Sequence, residues 1–347
     1  MSKVLVTGGC GFLGSHVCEL FMRKGWDVIA YDNMTKFETS RIQFGNPEKI
    51  REYNRKYIEK LGVQVVALDI RDKKPLEIWT KGCDYIINCA AQPTMTLSSL
   101  DPRLDFETNV LGTVNLLEIA SKRSIPLATC STIHVYGTGI NDEVKEKKTR
   151  YIRRPEEISE EGRWMTGSFT PLHASKASAE LYVQMYADTY DLQATAFRLT
   201  GIYGERQFGS EDHGWVSLLA IKTMLGLPIQ LIGNGKQVRD IIYVNDAAQA
   251  FWDWHISGKK SGVYNICGGK RTAVSVLEVL DKLRDIFGKE QNITSGGTRE
   301  GDLLYFVGNY SKATKAFGWE PSILVDDGLR RLADWLKSLD VWVVHQT

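Results

Sequence analysis

The sequence predicts an α/β protein, a doubly wound parallel sheet followed by a smaller, mixed α/β C-terminal domain. Three features predict it. Apolar runs of strand length alternate with helical patterns through residues 1–200. The first of these runs leads into three spaced glycines and then a helix. Beyond residue 200 the alternation loosens, and 201–347 reads mainly as a second, ligand-binding unit, with 240–255 returning to the first.

Val4, Leu5 and Val6 make a short apolar run, as a strand buried on both faces requires. Gly8, Gly11 and Gly14 follow at spacing G-x-x-G-x-x-G, enclosing Phe12 and Leu13. Ser15 to Lys24 then reads as a helix, with Gly25 past its end. Glycine turns sharply, lets backbone N–H groups approach a pyrophosphate and packs a helix close to a strand. The helix N-terminus adds partial positive charge. A second strand, Val28 to Tyr31, ends in Asp32, 18 residues beyond Gly14, with Asn33 next. A carboxylate there accepts hydrogen bonds from both ribose hydroxyls and repels a 2′-phosphate. The pattern is that of a Rossmann-type site for NAD rather than NADP.

Residues 36–62 form a polar connection, helical around Lys49 to Leu61. Val63 to Leu68 is a third strand ending in Asp69-Ile70, where side chain or backbone meets the adenine of such a cofactor. Asp84 to Cys89 is a fourth strand, followed by Ala90-Ala91-Gln92, small residues that suit either close cofactor approach or a plain tight turn. Arg103 to Lys122 repeats apolar residues at helical spacing. Pro126 to Ser131 is a fifth strand, and Thr132 to Gly137 lies at its C-terminal end, the side on which open parallel sheets bind ligands. Gly139 to Thr170 is polar and reads as a surface excursion or a lid. Pro171 opens a helix to Tyr190, and Ala194 to Leu199 is the sixth strand. In the second half, helices are read at Trp215 to Leu225, Ser275 to Phe287 and Asp326 to Leu339. Strands are read at Ile229 to Ile232, Arg239 to Val244 and Val263 to Ile266. Ligand is expected in the cleft between the units.

Composition excludes several classes. The 347 residues carry a net charge of +1, with 43% hydrophobic and 24% charged residues, which gives no reason to expect nucleic acid or anionic lipid as partner. No apolar run approaches a membrane span, and a strand begins too early for a signal peptide, so a cytoplasmic protein is expected. Six scattered cysteines without a C-x-x-C pair read as reduced thiols, not as a metal site.

The motifs together resemble the extended short-chain dehydrogenase/reductase family of sugar-nucleotide epimerases and dehydratases. The resemblance covers nearly the whole chain. It rests on Thr7 to Ser15, Asp32-Asn33, Asp69-Ile70, Asn109 to Thr113, Tyr136-Gly137, Ala174-Ser175-Lys176, Phe197-Arg198, Tyr203-Gly204 and Gln237 to Asp240. Within the family the chain is most similar to the branch acting at C2 of CDP-linked sugars, through Gln92, Thr94-Met95-Thr96, Arg206-Gln207-Phe208, Gly214-Trp215-Val216 and Gly233 to Asp240. The resemblance implies that Asn109 joins the cofactor set and that Lys176 holds the nicotinamide ribose. It implies that Thr132 meets a reacting sugar hydroxyl and that Arg239 and Arg299 bind the diphosphate, guanidinium groups being suited to bidentate phosphate contacts. It also assigns Thr94, Thr200, Arg206, Gln207, Trp215 and Gln230 to the substrate side.

The expected activity is an NAD-dependent epimerisation of a nucleoside-diphosphate sugar, CDP-linked, through a transient 2-keto sugar. A weakened NAD- and nucleotide-sugar-binding protein and a one-way keto-sugar reductase are the alternatives. Ile133-His134 replaces the Asp-Glu pair that a dehydratase of this family would carry after Thr132, which argues against elimination. The family motif Tyr-x-x-x-Lys is broken, with Leu172 at the tyrosine position. His173, three residues before Lys176 on roughly one helix face, is the first replacement base, His134 the second, and a neutral Lys176 the third. The helices at Arg103 to Lys122 and Pro171 to Tyr190 match those through which the family dimerises, with Val110, Val114, Leu117, Leu181 and Met185 as apolar contacts.

Overall fold

Seven parallel strands form the main sheet: β1 (Lys3–Thr7), β2 (Asp27–Asp32), β3 (Gln64–Ala67), β4 (Tyr85–Asn88), β5 (Leu127–Thr132), β6 (Ala194–Leu199) and β7 (Gly262–Ile266), in the order β7-β6-β5-β4-β1-β2-β3. The computed structural model describes residues 1–35, 44–161, 164–258, 260–298 and 301–342. Arg299 and the start of the 36–62 connection lie outside them.

Strand alternation sorts the core into two layers. Val4, Val6, Val28, Ala30 and Ile87 pack with Phe21 of the helix Phe12–Arg23 and with Phe251 and Trp254 of the helix Val244–Ile256. Leu5, Ile29, Tyr31 and Ile86 face the other way, onto Leu116, Leu117 and Val183 of the helices Gly112–Arg123 and Pro171–Tyr190. The strand order reverses between β1 and β4, which opens a crevice at their C-terminal ends.

The second unit has its own four-stranded sheet, from Gly201–Tyr203, Val238–Tyr243, Ala273–Ser275 and Tyr305–Phe306. Ile221, Ile241, Leu280, Leu329 and Leu332 fill its core. A buried carboxylate ties the units together. Asp240 accepts from Thr200 Oγ1 (2.6 Å), Gly269 N (3.1 Å) and Gly308 N (2.9 Å). Burial pushes its pKa up to about 7.

Three sequence expectations change here. The strand at Val263 to Ile266 belongs to the main sheet as β7, because its apolar residues pair along β6 and cover that strand's free edge. The single helix at Arg103 to Lys122 is broken into Pro102–Asp105, a π-helical stretch Phe106–Leu111 and Gly112–Arg123. The extra residue per turn rotates the faces. Val110 and Leu117 are consequently buried within the chain, while Phe106 and Leu111 are exposed. The first part of the polar excursion is tied down. Its hairpin, Val144–Glu146 with Tyr151–Arg153, docks on the second unit through Tyr151 N to Lys236 O (2.9 Å) and an Arg150–Glu278 ion pair. Among the described residues no helix is long and apolar enough to cross a membrane.

Arg198, in β6, makes a buried ion pair with Glu180, whose carboxylate accepts at 2.5 and 3.0 Å from the guanidinium and at 2.8 Å from Ser131 Oγ. The guanidinium also lies over the Tyr136 ring at 4.7 Å. Deleting one partner strands a charge, so Glu180→Ala should cost about 3–5 kcal/mol in urea unfolding, whereas Glu180→Leu with Arg198→Met should recover most of it. A loss below about 1 kcal/mol for the single variant would contradict a structural role for the pair.

Candidate active site

The glycine turn is built by close approach. Gly8 sits at φ +65°, and a Cβ there would meet Ala90 N at 2.7 Å. A Cβ on Gly14 would fall 2.0 Å from the Gly8 carbonyl oxygen, and one on Gly9 would fall 2.6 Å from the Ala30 Cβ. Gly9, outside the G-x-x-G-x-x-G count, is thus as constrained as the others; the small Ala30 facing it was the available signal. The helix starts at Phe12, not Ser15, with Gly11 as N-cap and no side-chain cap. Its first N–H groups therefore lack an intrahelical acceptor, and Phe12 and Leu13 line a cavity of about 510 Å³. Asp32 accepts from Cys10 N (3.0 Å) and Met34 N (2.8 Å) and borders the same cavity.

Asn33, Ile70, Ala90 and Ala91 also line it. Asp69 stands behind. Its carboxylate takes Asn33 Nδ2 (2.9 Å) and Arg71 Nη2 (2.8 Å). Burial raises the Asp69 pKa, but these bonds outweigh it and the net shift is downward. An uncapped helix start, a cradle that side chains would fill and a carboxylate at the end of β2 fit a dinucleotide such as NAD.

Gln92, Thr94 and Asn109 are not on the cavity wall. Gln92 is fully buried, donating to Asp105 Oδ1 (2.5 Å) and accepting from Thr94 N (2.6 Å) and Thr94 Oγ1 (3.0 Å). Asn109 Oδ1 accepts from Gln92 N (3.0 Å), and its Nδ2 donates to Ser175 Oγ (3.0 Å). These polar groups bond to one another, and none of the three borders the cavity as the sequence reading expected.

At the end of β5, Thr132, His134, Leu172 and Lys176 line the cavity together. Thr132 Oγ1 accepts from His134 N (3.3 Å). Lys176 Nζ donates to the Cys130 carbonyl (3.1 Å), and desolvation lowers its pKa. His173, the first sequence choice for a base, is turned away. Its Nδ1 accepts from Thr170 N (3.0 Å) at the start of the helix, its Nε2 is buried without a partner, and it is 1% exposed. Burial pushes its pKa down to about 4. The two imidazoles stack, with centroids 4.8 Å apart and planes 9° from parallel. His173 is therefore a cap and a platform, and of the two histidines His134 is the one that borders the cavity.

On the substrate side Thr200, Gln207, Trp215, Gln230 and Arg239 line the cavity. Arg206 does not. It is buried against Glu19 Oε2 (2.7 Å) and His16 Nε2 (3.1 Å), over the Tyr57 ring at 4.3 Å. Arg299 lies outside the described residues. Sequence reasoning missed Asp302, which lines the cavity and accepts from Arg239 Nη2 at 2.9 Å. It also missed Pro93 and Met95, apolar cavity residues flanking Thr94.

The buried cap has a pH signature. An unfolded histidine takes a proton near its ordinary value of about 6.5, whereas folded His173 does so only near pH 4. Its contribution to stability is therefore complete above pH about 6.5 and is lost as pH falls towards 4, by about 3 kcal/mol in total. Wild type should lose more stability between about pH 7.5 and pH 4.5 than His173→Gln, measured by urea unfolding. Equal losses in the two proteins would show that His173 is not held neutral.

Comparison with known proteins agrees with this geometry. The chain is 32% identical to CDP-paratose 2-epimerase of Salmonella typhi over 97% of this chain and 100% of that one. UDP-glucose 4-epimerase of Thermus thermophilus, solved in complex with NAD, superposes with a TM-score of 0.78 at 30% identity, covering 97% of this chain and 99% of that one. The Thermotoga maritima UDP-glucose 4-epimerase with UDP-glucose superposes with a TM-score of 0.80 at 26% identity, covering 96% of this chain and 98% of that one. The model of one family matches residues 4–267, from β1 through β7, and this chain belongs to it: the NAD dependent epimerase/dehydratase family.

Proposed function

We propose that this NAD-dependent enzyme is a CDP-sugar 2-epimerase in which His134 takes the part of the missing tyrosine. The observation that carries the reading is the joining, in one cavity, of the dinucleotide cradle, Thr132, Lys176, His134 and Arg239, with leucine at position 172. The likeness to CDP-paratose 2-epimerase supports the nucleotide and the carbon. NAD, when bound, supplies the hydride acceptor and donor that inversion through a keto sugar needs. The chain supplies the rest. Thr132 holds the reacting hydroxyl, and imidazole is the side chain suited to take and return a proton near neutral pH. Lys176, made less basic by burial, positions the nicotinamide ribose. Arg239 exchanges Asp302 for the diphosphate.

CDP-paratose incubated with the enzyme and NAD⁺ should give its C2 epimer, followed by proton NMR. His134→Asn should slow the reaction by about 10²–10⁴-fold with NAD affinity unchanged in calorimetry. A full-rate variant would remove His134 from the chemistry. Turnover of UDP-sugars alone would move the nucleotide assignment, and no turnover of any nucleotide sugar would favour the binding-protein reading.

We also propose a homodimer. Leu181 and Tyr182 of the helix Pro171–Tyr190 are 49% and 42% exposed, and Phe106 of the adjacent π-helical stretch is 56% exposed. An apolar face of this kind suits a partner helix pair. Light scattering at micromolar concentration should report a dimer that Leu181→Glu dissociates, and a monomeric wild type would exclude this interface.

A further inference from the structure

Two cysteines on the cavity wall have no part in the chemistry above. Cys89 follows β4 and Cys130 lies in β5, and the parallel pairing of Asn88 with Thr129 brings the next residues side by side. Asn88 and Thr129 turn to one face of the sheet, where Asn88 Nδ2 donates to Thr129 Oγ1 (3.1 Å). Alternation turns Cys89 and Cys130 to the other, where the register sets the two thiols next to each other and each shifts the other's pKa. Both line the cofactor cavity and both are half-buried, whereas Cys10, Cys18, Cys83 and Cys267 are buried. Neighbouring strands lie about 4.8 Å apart, inside the Cα separation of about 4.4–6.8 Å that a disulfide spans.

We infer that Cys89 and Cys130 are an oxidation site, closed to a disulfide by peroxide when the cofactor cavity is empty and shielded when NAD fills it. The step balances with one peroxide. The Cys130 thiolate attacks a peroxide oxygen, the O–O bond breaks, and Cys130 becomes a sulfenic acid as the first water leaves. The Cys89 sulfur then attacks the Cys130 sulfur, the S–O bond breaks, and the second water leaves with the thiol proton. Two thiols have lost two electrons, and hydrogen peroxide has gained them. The order follows from the surroundings. The neighbouring Cys89 thiol, aided by Lys176 against the opposing effect of burial, lowers the Cys130 pKa, while the Cys130 thiol and burial raise that of Cys89. A disulfide open to the cavity is within reach of thiol reductants, which reverse it.

The test uses the purified chain and hydrogen peroxide. Peptide mass mapping should show two thiols lost per chain, a single Cys89–Cys130 cross-link, and full recovery with dithiothreitol. Cys89→Ser should stop at a sulfenic acid on Cys130 that dimedone captures, whereas Cys130→Ser should leave Cys89 unlabelled. With NAD⁺ at about ten times its Kd, oxidation should slow about tenfold, as the occupied fraction dictates. If the serine variants fold poorly, the wild-type map and the NAD⁺ protection decide alone. Oxidation that begins at the other four cysteines, adducts without a cross-link, or a rate indifferent to NAD⁺ would each overturn the inference.

Discussion

A side chain on Gly14 would place its first carbon 2.0 Å from the carbonyl oxygen of Gly8, inside any allowed contact. The rest of the nucleotide-binding half depends on that closeness. Because the turn and the first helical residues touch, the helix can begin at Phe12 and aim its unpaired N–H groups into the crevice beside β1. Because Gly9 lies against Ala30, β2 runs close enough for Asp32 to accept from Cys10 N and lock the turn from outside. The carboxylate thus has a structural partner on the chain and a face on the cavity.

Local chemistry was legible in the sequence wherever one residue type had one physical use. Gly8, Gly11 and Asp32 belong to that class and border the cavity; Thr132, Lys176 and Arg239, which the family resemblance supplied, border it too, and Gly14 does not. Residues with several uses were not. Gln92, Thr94 and Asn109 were read as ligand contacts mainly through the family resemblance, and only the fold reveals that they bond to one another. Arg206 shared a motif with Gln207, yet the chain at Gly204 to Gln207 turns the arginine onto Glu19. The π-helical stretch was invisible to a search for 3.6-residue spacing, and it moved Val110 and Leu117 into the core. Spacing placed His173 and Lys176 on one helix face, but position N3 of that helix faces the cap, and the imidazole accepted the backbone N–H waiting there.

Leu172 changes the electrostatics of the site as well as its chemistry. A methyl-bearing side chain beside Lys176 excludes water, and the ammonium meets the Cys130 carbonyl in place of a phenol. Such surroundings lower the cost of holding a neutral group and raise that of holding a charged one. A stacked, neutral His173 behind His134 continues the same low-polarity wall.

The path of the chain through the two units has a consequence for what counts as a part. The polypeptide leaves the main sheet after β6, builds strands of the second sheet, and comes back to lay down the helix Val244–Ile256 and β7 before departing again. Every residue of β6 is buried, and β7 is what covers its outer edge. A chain ending near residue 200 would present that apolar strand with its backbone unpaired, a template for pairing with any other extended segment. The two units are therefore walls of a cleft woven from one thread, with no seam at which the protein divides into a nucleotide-binding fragment and a substrate-binding one.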